Sequence, residues 1–290
     1  MTGRELPPTS AFAGDDGSAD PRVAAALTAY GDGTGTLAGV VEALAGTRVL
    51  VPVLAELEAA ETVEVGGHAH TVDKEASAGI VALQAPDGRT ALPVFSSVAA
   101  MTAWRRDARP VPTDVVRAAL SAVGEGWELL VLDAGGPVTA LLPRPAVWAL
   151  AQQQPWRPAV LPDAGGPGGA AGSVDPEVRA AVRAAVLGAL PGAADQPVRA
   201  PAAEQPAGGR SWFRRRRPEP ATDAAPAAAT GPVRDVDAEP GARAEVAVVL
   251  TLVPGLDRAT LDGLLRRVGE ALAADETVTQ RVDSVEVRLR

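Results

Sequence analysis

Residues 191–241 constrain this chain more than any other stretch. Ala, Pro, Gly and charged residues follow one another there without a sustained period. Such a segment cannot bury enough apolar surface to offset the entropy of ordering it. It reads as a disordered insertion in a surface loop, where added length costs little. The folded parts must therefore form on either side of it. Of the 290 residues, 47% are apolar and 3% aromatic, so a core can form, built on Val and Leu more than on rings. That length suits about two domains.

The first side begins with a Gly-, Pro- and Asp-rich lead over residues 1–19, read as disordered. From Met1 to Asp20 no basic region precedes an apolar one, so no signal peptide is expected. Asp20 and Pro21 form a helix start, with Val23, Leu27 and Tyr30 on one face. Leu37, Val40, Val41 and Leu44 give a second helix after a Gly-rich break. The run 48–54 (RVLVPVL) reads as a strand covered on both faces, unpaired or bulged near Pro52, which has no N–H. Residues 61–65 and 69–73 flank Gly66-Gly67 as a hairpin. Segments 78–84 and 90–95 pair around Pro86, Asp87 and Gly88. Ser96 or Ser97 caps a helix carrying Val98, Met101 and Trp104. Thr113 caps another with Val115, Val116, Ala119 and Leu120. Strands over 127–132 and 138–142 turn at Gly135 and Gly136, and a short helix spans about 144–152.

After a Gly-rich linker over 162–174, Asp175 and Pro176 open a helix to about residue 190. Residues 244–252 form a strand. Asp257 opens a helix with Leu261, Leu264, Leu265, Val268 and Leu272 in register. Val285, Val287 and Leu289 alternate with Glu286 and Arg288 in a last, half-exposed strand. The expected fold is α+β: a mixed, hairpin-rich sheet with packed helices over 20–161, then a smaller α/β unit over 175–290. That second unit is marginal alone. It is expected to dock on the first or on another copy, which leaves a homo-oligomer open.

The formal net charge of −9 argues against nucleic-acid binding, which depends on neutralising phosphates. Cys is absent, which removes disulfides, thiolate nucleophiles and zinc–thiolate sites together and suits a reducing cytoplasm. No run of about 18 apolar residues predicts a transmembrane segment.

His68 and His70, the only histidines, share one face of a predicted strand. A metal there would need Glu64, Asp73 or a distant carboxylate as well, and two exposed residues beside a turn is the preferred reading. The glycines at 31, 33, 35 and 39 follow a helix instead of a strand, so they do not make a dinucleotide loop. Lys74, the sole lysine, fits no phosphate loop. No Ser lies in a nucleophile elbow. Neither a catalytic set nor a cofactor is expected. An enzyme with an unfamiliar carboxylate or His site is the alternative.

Two other places attract attention. Trp212 and Phe213 with Arg214, Arg215, Arg216 and Arg217 form a dense basic–aromatic patch, suited to an anionic membrane surface or to RNA, with a solubilising run as the plainer reading. Phe95, Ser96 and Ser97, with Trp104 and Arg105 beyond, form a strand-to-helix junction where an anion or partner can bind. Core packing by Phe95 and Trp104 with capping serines is the plainer account.

The run Val49 to Val53, then Ala91-Leu92-Pro93-Val94-Phe95-Ser96-Ser97, Trp104 and Arg109-Pro110-Val111-Pro112, resembles the SseB-type (enhanced serine sensitivity) N-terminal domain. The likeness continues through 127–142 and covers roughly residues 20–160. The second unit looks like the C-terminal domain that accompanies it. The resemblance implies a bacterial, cytoplasmic protein, and it carries no catalytic residue to transfer; two folded units, a flexible connection and no reactive side-chain constellation point to a binding or regulatory module. A sulfurtransferase role is disfavoured, because its usual Cys nucleophile is missing. The protein partner or small ligand is left unidentified.

Overall fold

The computed structural model describes residues 12–54, 81–85, 87–162, 172–190 and 232–290. The 61–73 hairpin, His68, His70, Pro86 and the 212–217 patch lie outside these residues. The chain divides into two compact units, one of Met1–Ser173 with Gln280–Asp283, the other of Val174–Thr279 with Ser284–Arg290. Both combine helices with small mixed sheets, so the fold is α+β.

The first unit opens with α1 (Pro21–Gly31) and α2 (Leu37–Leu44). Asp20 caps α1 by accepting the Arg22 N–H, and Thr36 caps α2 by accepting that of Gly39. Residues 12–19, expected to be a structureless lead, instead pack on the unit: the Arg48 guanidinium bonds Asp15 and the Ser18 carbonyl. A half-buried charge pair supplies order that apolar content alone did not predict.

Next come β1 (Arg48–Leu54), β2 (Leu83–Gln84) and β3 (Thr90–Val94), then α3 (Val98–Trp104), β4 (Ala108–Asp114) and α4 (Val115–Gly124). After them stand β5 (Leu129–Leu132), β6 (Ala140–Leu142), α5 (Arg144–Ala151) and β7 (Val160–Leu161). The main sheet runs β2-β3-β5-β6, with β3 and β5 parallel and the outer pairs antiparallel. The parallel pair lies in the interior, which explains the unbroken apolar runs of β3 and β5.

β4 was not expected, since its sequence ARPVPTD holds two prolines. It pairs antiparallel with β1, and Pro52 stands opposite Pro110, so residues lacking an N–H face each other. Extending the strand to residue 114 moves the α4 cap from Thr113 to Asp114, whose carboxylate accepts the Val116 N–H at 2.8 Å. One double bridge ties this ribbon to the main sheet, as Leu50 and Phe95 exchange N–H···O bonds of 2.8 and 2.9 Å.

After β8 (Ser173–Val174) come α6 (Pro176–Gly188), β9 (Val233–Pro240), β10 (Val246–Leu252), α7 (Arg258–Ala274), α8 (Glu276–Arg281), whose last two residues belong to the first unit, and β11 (Val285–Leu289). The sheet order of the second unit is β11-β10-β9, with β11 parallel and β9 antiparallel to β10. Val178, Val182 and Val186 of α6 and Leu264, Val268 and Leu272 of α7 are buried. Residues 233–240 were read as part of the insertion but form β9. Its Arg, Asp and Glu residues masked the buried positions Val233, Val236 and Ala238, and Arg183 supports the strand by donating to the Val236 carbonyl at 3.0 Å.

Among the described residues, no helix is long and apolar enough to cross a membrane.

Candidate functional site

Two features of the first unit bear on function: the junction after β3 and a cavity beside α2. The first follows from the strand register, the second from the turn after α5.

Parallel pairing of Val94 with Leu132 sends the chain out of β3 and β5 side by side. Ser96 and Asp133 then meet, both buried. The Ser96 N–H donates to Asp133 Oδ1 and its hydroxyl to Oδ2, each at 2.7 Å. Asp133 sits at φ 54°, a left-handed conformation that Asp tolerates better than most residues. Gly135, at φ 70°, continues the turn where a side chain would be strained. The Asp133 carbonyl accepts the Thr139 hydroxyl at 2.9 Å and the Gly136 N–H at 3.0 Å. Burial raises the Asp133 carboxyl above its ordinary value, and the Ser96 bonds oppose that rise.

Arg48, at the start of β1, reaches the Ser96 carbonyl at 2.6 Å and pairs with Asp15. Asp15, Arg48, Ser96, Asp133 and Thr139 thus form one hydrogen-bonded chain. The Arg48 side chain holds the Asp15 carboxyl below its usual 3.8. A depressed carboxyl contributes stability that is present above the unfolded value and lost as pH falls through the folded one. Arg48→Ala is expected to cost about 2 kcal/mol, because it strands a half-buried carboxylate and two carbonyls. Urea melts from pH 7 to pH 3 check this. The wild-type advantage shrinks toward acid, and a pH-independent difference would contradict the pairing.

The structure brings Phe95, Ser96, Ser97, Trp104 and Arg105 into one neighbourhood. Phe95 is buried against Leu50 and Met101 and lies 5.2 Å from the Trp104 ring at a 34° tilt. Ser97 caps α3 by accepting the Ala100 N–H at 3.1 Å. The Val98 N–H donates to the Gly17 carbonyl at 2.9 Å. At this helix start the N–H groups of residues 96, 98 and 100 are thus donated within the protein. Trp104 and Arg105 are half-exposed, and Arg105 pairs with Asp107 at 2.8 Å.

The cavity has a volume of about 650 Å³ and lies beside α2, the start of α4 and the C-terminal end of α5. Val41, Val115 and Leu150 supply apolar wall, while Glu42, Gln153 and Trp156 supply polar groups. Gln153, at φ 55°, reverses the chain after α5 and carries Pro155 and Trp156 to the cavity. The Trp156 indole N–H is buried and has no hydrogen-bond partner among the described residues. Among the described lining residues Glu42 is the only charged one; the C-terminal ends of α2 and α5 and the N-terminal ends of α2 and α4 all border the site. Sequence reasoning missed this feature. Its signal was the row of small residues Ala38, Gly39, Ala45 and Gly46, with a Gln-Gln-Pro-Trp run far along the chain.

Among the described residues, no group of three or more His, Asp or Glu is placed to hold a metal ion.

The geometry defines an α+β domain with a fixed strand-to-helix link and an open apolar cavity. Residues 23–149, within the N-terminal unit, match the family model for the SseB protein N-terminal domain. The match ends before the second unit. No curated protein and no solved structure matches the chain.

Proposed function

We propose that the N-terminal unit is a non-catalytic binding module of a cytoplasmic protein, and that it takes a small organic cation with an apolar body. The observation that carries this reading is the cavity beside α2. Its volume of about 650 Å³ falls in the range of small-molecule sites, which are mostly apolar with a few placed polar groups. Glu42 is the one charged side chain among the described lining residues, so a cation is the ligand that it would pair with. Trp156 lines the cavity as well, and an indole ring attracts a cation.

The test is calorimetric titration of the full chain with alkylammonium and arylalkylammonium compounds, beside carboxylates and alcohols of the same size. The cations are expected to bind best. Glu42→Gln should weaken them by about fivefold, the worth of one partly exposed charge pair. Ala149→Trp, which fills the cavity from α5, should abolish binding and leave the fold intact. Equal binding of carboxylates would overturn the cationic class, and no binding by any compound would overturn the site.

A second reading places the ligand or partner at Phe95, Ser96, Ser97, Trp104 and Arg105. What supports it is the exposure of Trp104 and Arg105 on a hydrogen-bonded frame. Spectral changes centred on the Trp104 indole, with Trp156 undisturbed, would favour it.

A further inference from the structure

The second unit has two sheet edges of different character. β9 ends in Pro240 and carries exposed Arg234 and Asp235, features that discourage strand addition. β11 has no proline, and its apolar residues are its most exposed: Val285 38%, Val287 39% and Leu289 43%. They lie on the same sheet face as the fully buried Val246, Val248 and Leu250 opposite them in β10. An apolar stripe therefore runs out from under the core along an open edge.

The backbone of β11 has matching polarity. The Ser284 carbonyl accepts the Val246 N–H at 3.1 Å. Arg290 donates to the Leu250 carbonyl at 2.9 Å and accepts from Leu252 at 2.8 Å. Even-numbered residues thus turn their N–H and C=O groups toward β10, and strand alternation turns those of Val285, Val287 and Leu289 outward. Among the described residues, no strand pairs with that side.

We infer that β11 is a dimerisation edge, and that its occupant is β11 of a second copy of this chain, antiparallel, with the two-fold axis at Val287. The sequence Val285-Glu286-Val287-Arg288-Leu289 is self-complementary about that axis. Val287 faces its own copy, and Val285 faces the copy's Leu289, so every outward N–H meets an outward C=O. Glu286 falls opposite the copy's Arg288, and Arg288 opposite its Glu286. Opposite charges in direct cross-strand register are favourable, and like charges are not. Within one chain Arg288 already bonds Glu286, so the two copies would close a ring of alternating charge. The same residue on both sides of one axis is the mark of an isologous interface.

Cysteine cross-linking reads the register directly, since the chain has no native Cys. In full-length protein under mild oxidation, Val287→Cys should give a covalent dimer, because residues exchanging both bonds lie about 5.5 Å apart at Cα. Val285→Cys or Leu289→Cys alone should not cross-link, whereas a mixture of the two should. Sedimentation supplies a second reading. Arg288→Glu should be monomeric where the wild type is dimeric, and Glu286→Arg with Arg288→Glu should restore the dimer. Circular dichroism confirms that each variant is folded. A monomeric wild type at tens of micromolar, or equal cross-linking from all three single positions, would overturn the inference.

Discussion

Phe95→Ala is expected to cost about 4 kcal/mol in folding free energy, the largest single effect in the N-terminal unit. The Phe95 side chain is fully buried, and removal of a buried phenyl ring costs about 3–5 kcal/mol through lost transfer energy and the cavity left behind. Collapse around the gap is hindered. The Phe95 backbone exchanges two hydrogen bonds with Leu50, so β1 and β3 cannot close up without breaking them. The ring also stacks at 5.2 Å on Trp104, and such a pair adds about 0.5–1.5 kcal/mol beyond area. Phe95→Leu should recover about half of the loss. Urea denaturation followed by circular dichroism measures both. A cost for Phe95→Ala below about 1 kcal/mol would show that the ring is peripheral to the core.

Asp133→Ala should cost about 3 kcal/mol by a different route. It leaves the Ser96 N–H and hydroxyl buried without an acceptor, at about 1–3 kcal/mol for such a loss. It also places alanine at φ 54°, a conformation whose steric cost is about 1–2 kcal/mol. Asp133→Gly separates the two contributions, since it removes only the second. Asp133→Asn keeps an acceptor for the Ser96 N–H and tolerates the left-handed backbone, so its cost should be about 1 kcal/mol. The pH dependence has a definite sign. Burial, the larger influence, raises the folded carboxyl above 3.8, so the native state binds the proton more tightly than the unfolded chain. Stability from this group therefore falls as pH rises from 3.8 through the raised value. The wild-type margin over Asp133→Asn should narrow over that interval, opposite to the behaviour expected at Arg48. A margin that widens with pH would contradict the burial of Asp133.

The elements that announced themselves in the sequence are those where one local signal suffices. Asp20, Asp175 and Asp257 cap the helices they were expected to cap, because an N-cap reports on its own first turn. The apolar runs of β1, β3 and β5 report burial on both faces. Longer-range pairings left fainter traces. β4 carries Pro110 and Pro112 and exists because β1 offers it a full ladder. β9 is dominated by charges that find partners in other elements, such as Asp235 with Arg183. Ser96 was legible as a cap candidate, yet its partner Asp133 lies 37 residues away, and only the parallel register of β3 and β5 brings them together. The cavity is fainter still, since it depends on the turn after α5 placing Trp156 beside α2. The resemblance carried by Leu92 to Ser97 and the Gly135-Gly136 turn fared better, because both segments lie at the ends of the paired central strands and inside the matched residues 23–149.

The most direct test of the binding module is the indole region of a ¹H–¹⁵N spectrum of the full chain, titrated with an arylalkylammonium probe. Five Trp residues give five signals, and Trp→Phe variants assign them. The account predicts that the Trp156 signal moves saturably, that Trp104 and Trp148 stay in place, and that Ala149→Trp abolishes the shift. A Trp156 resonance that ignores every cation tested, in a protein that remains folded, would contradict it.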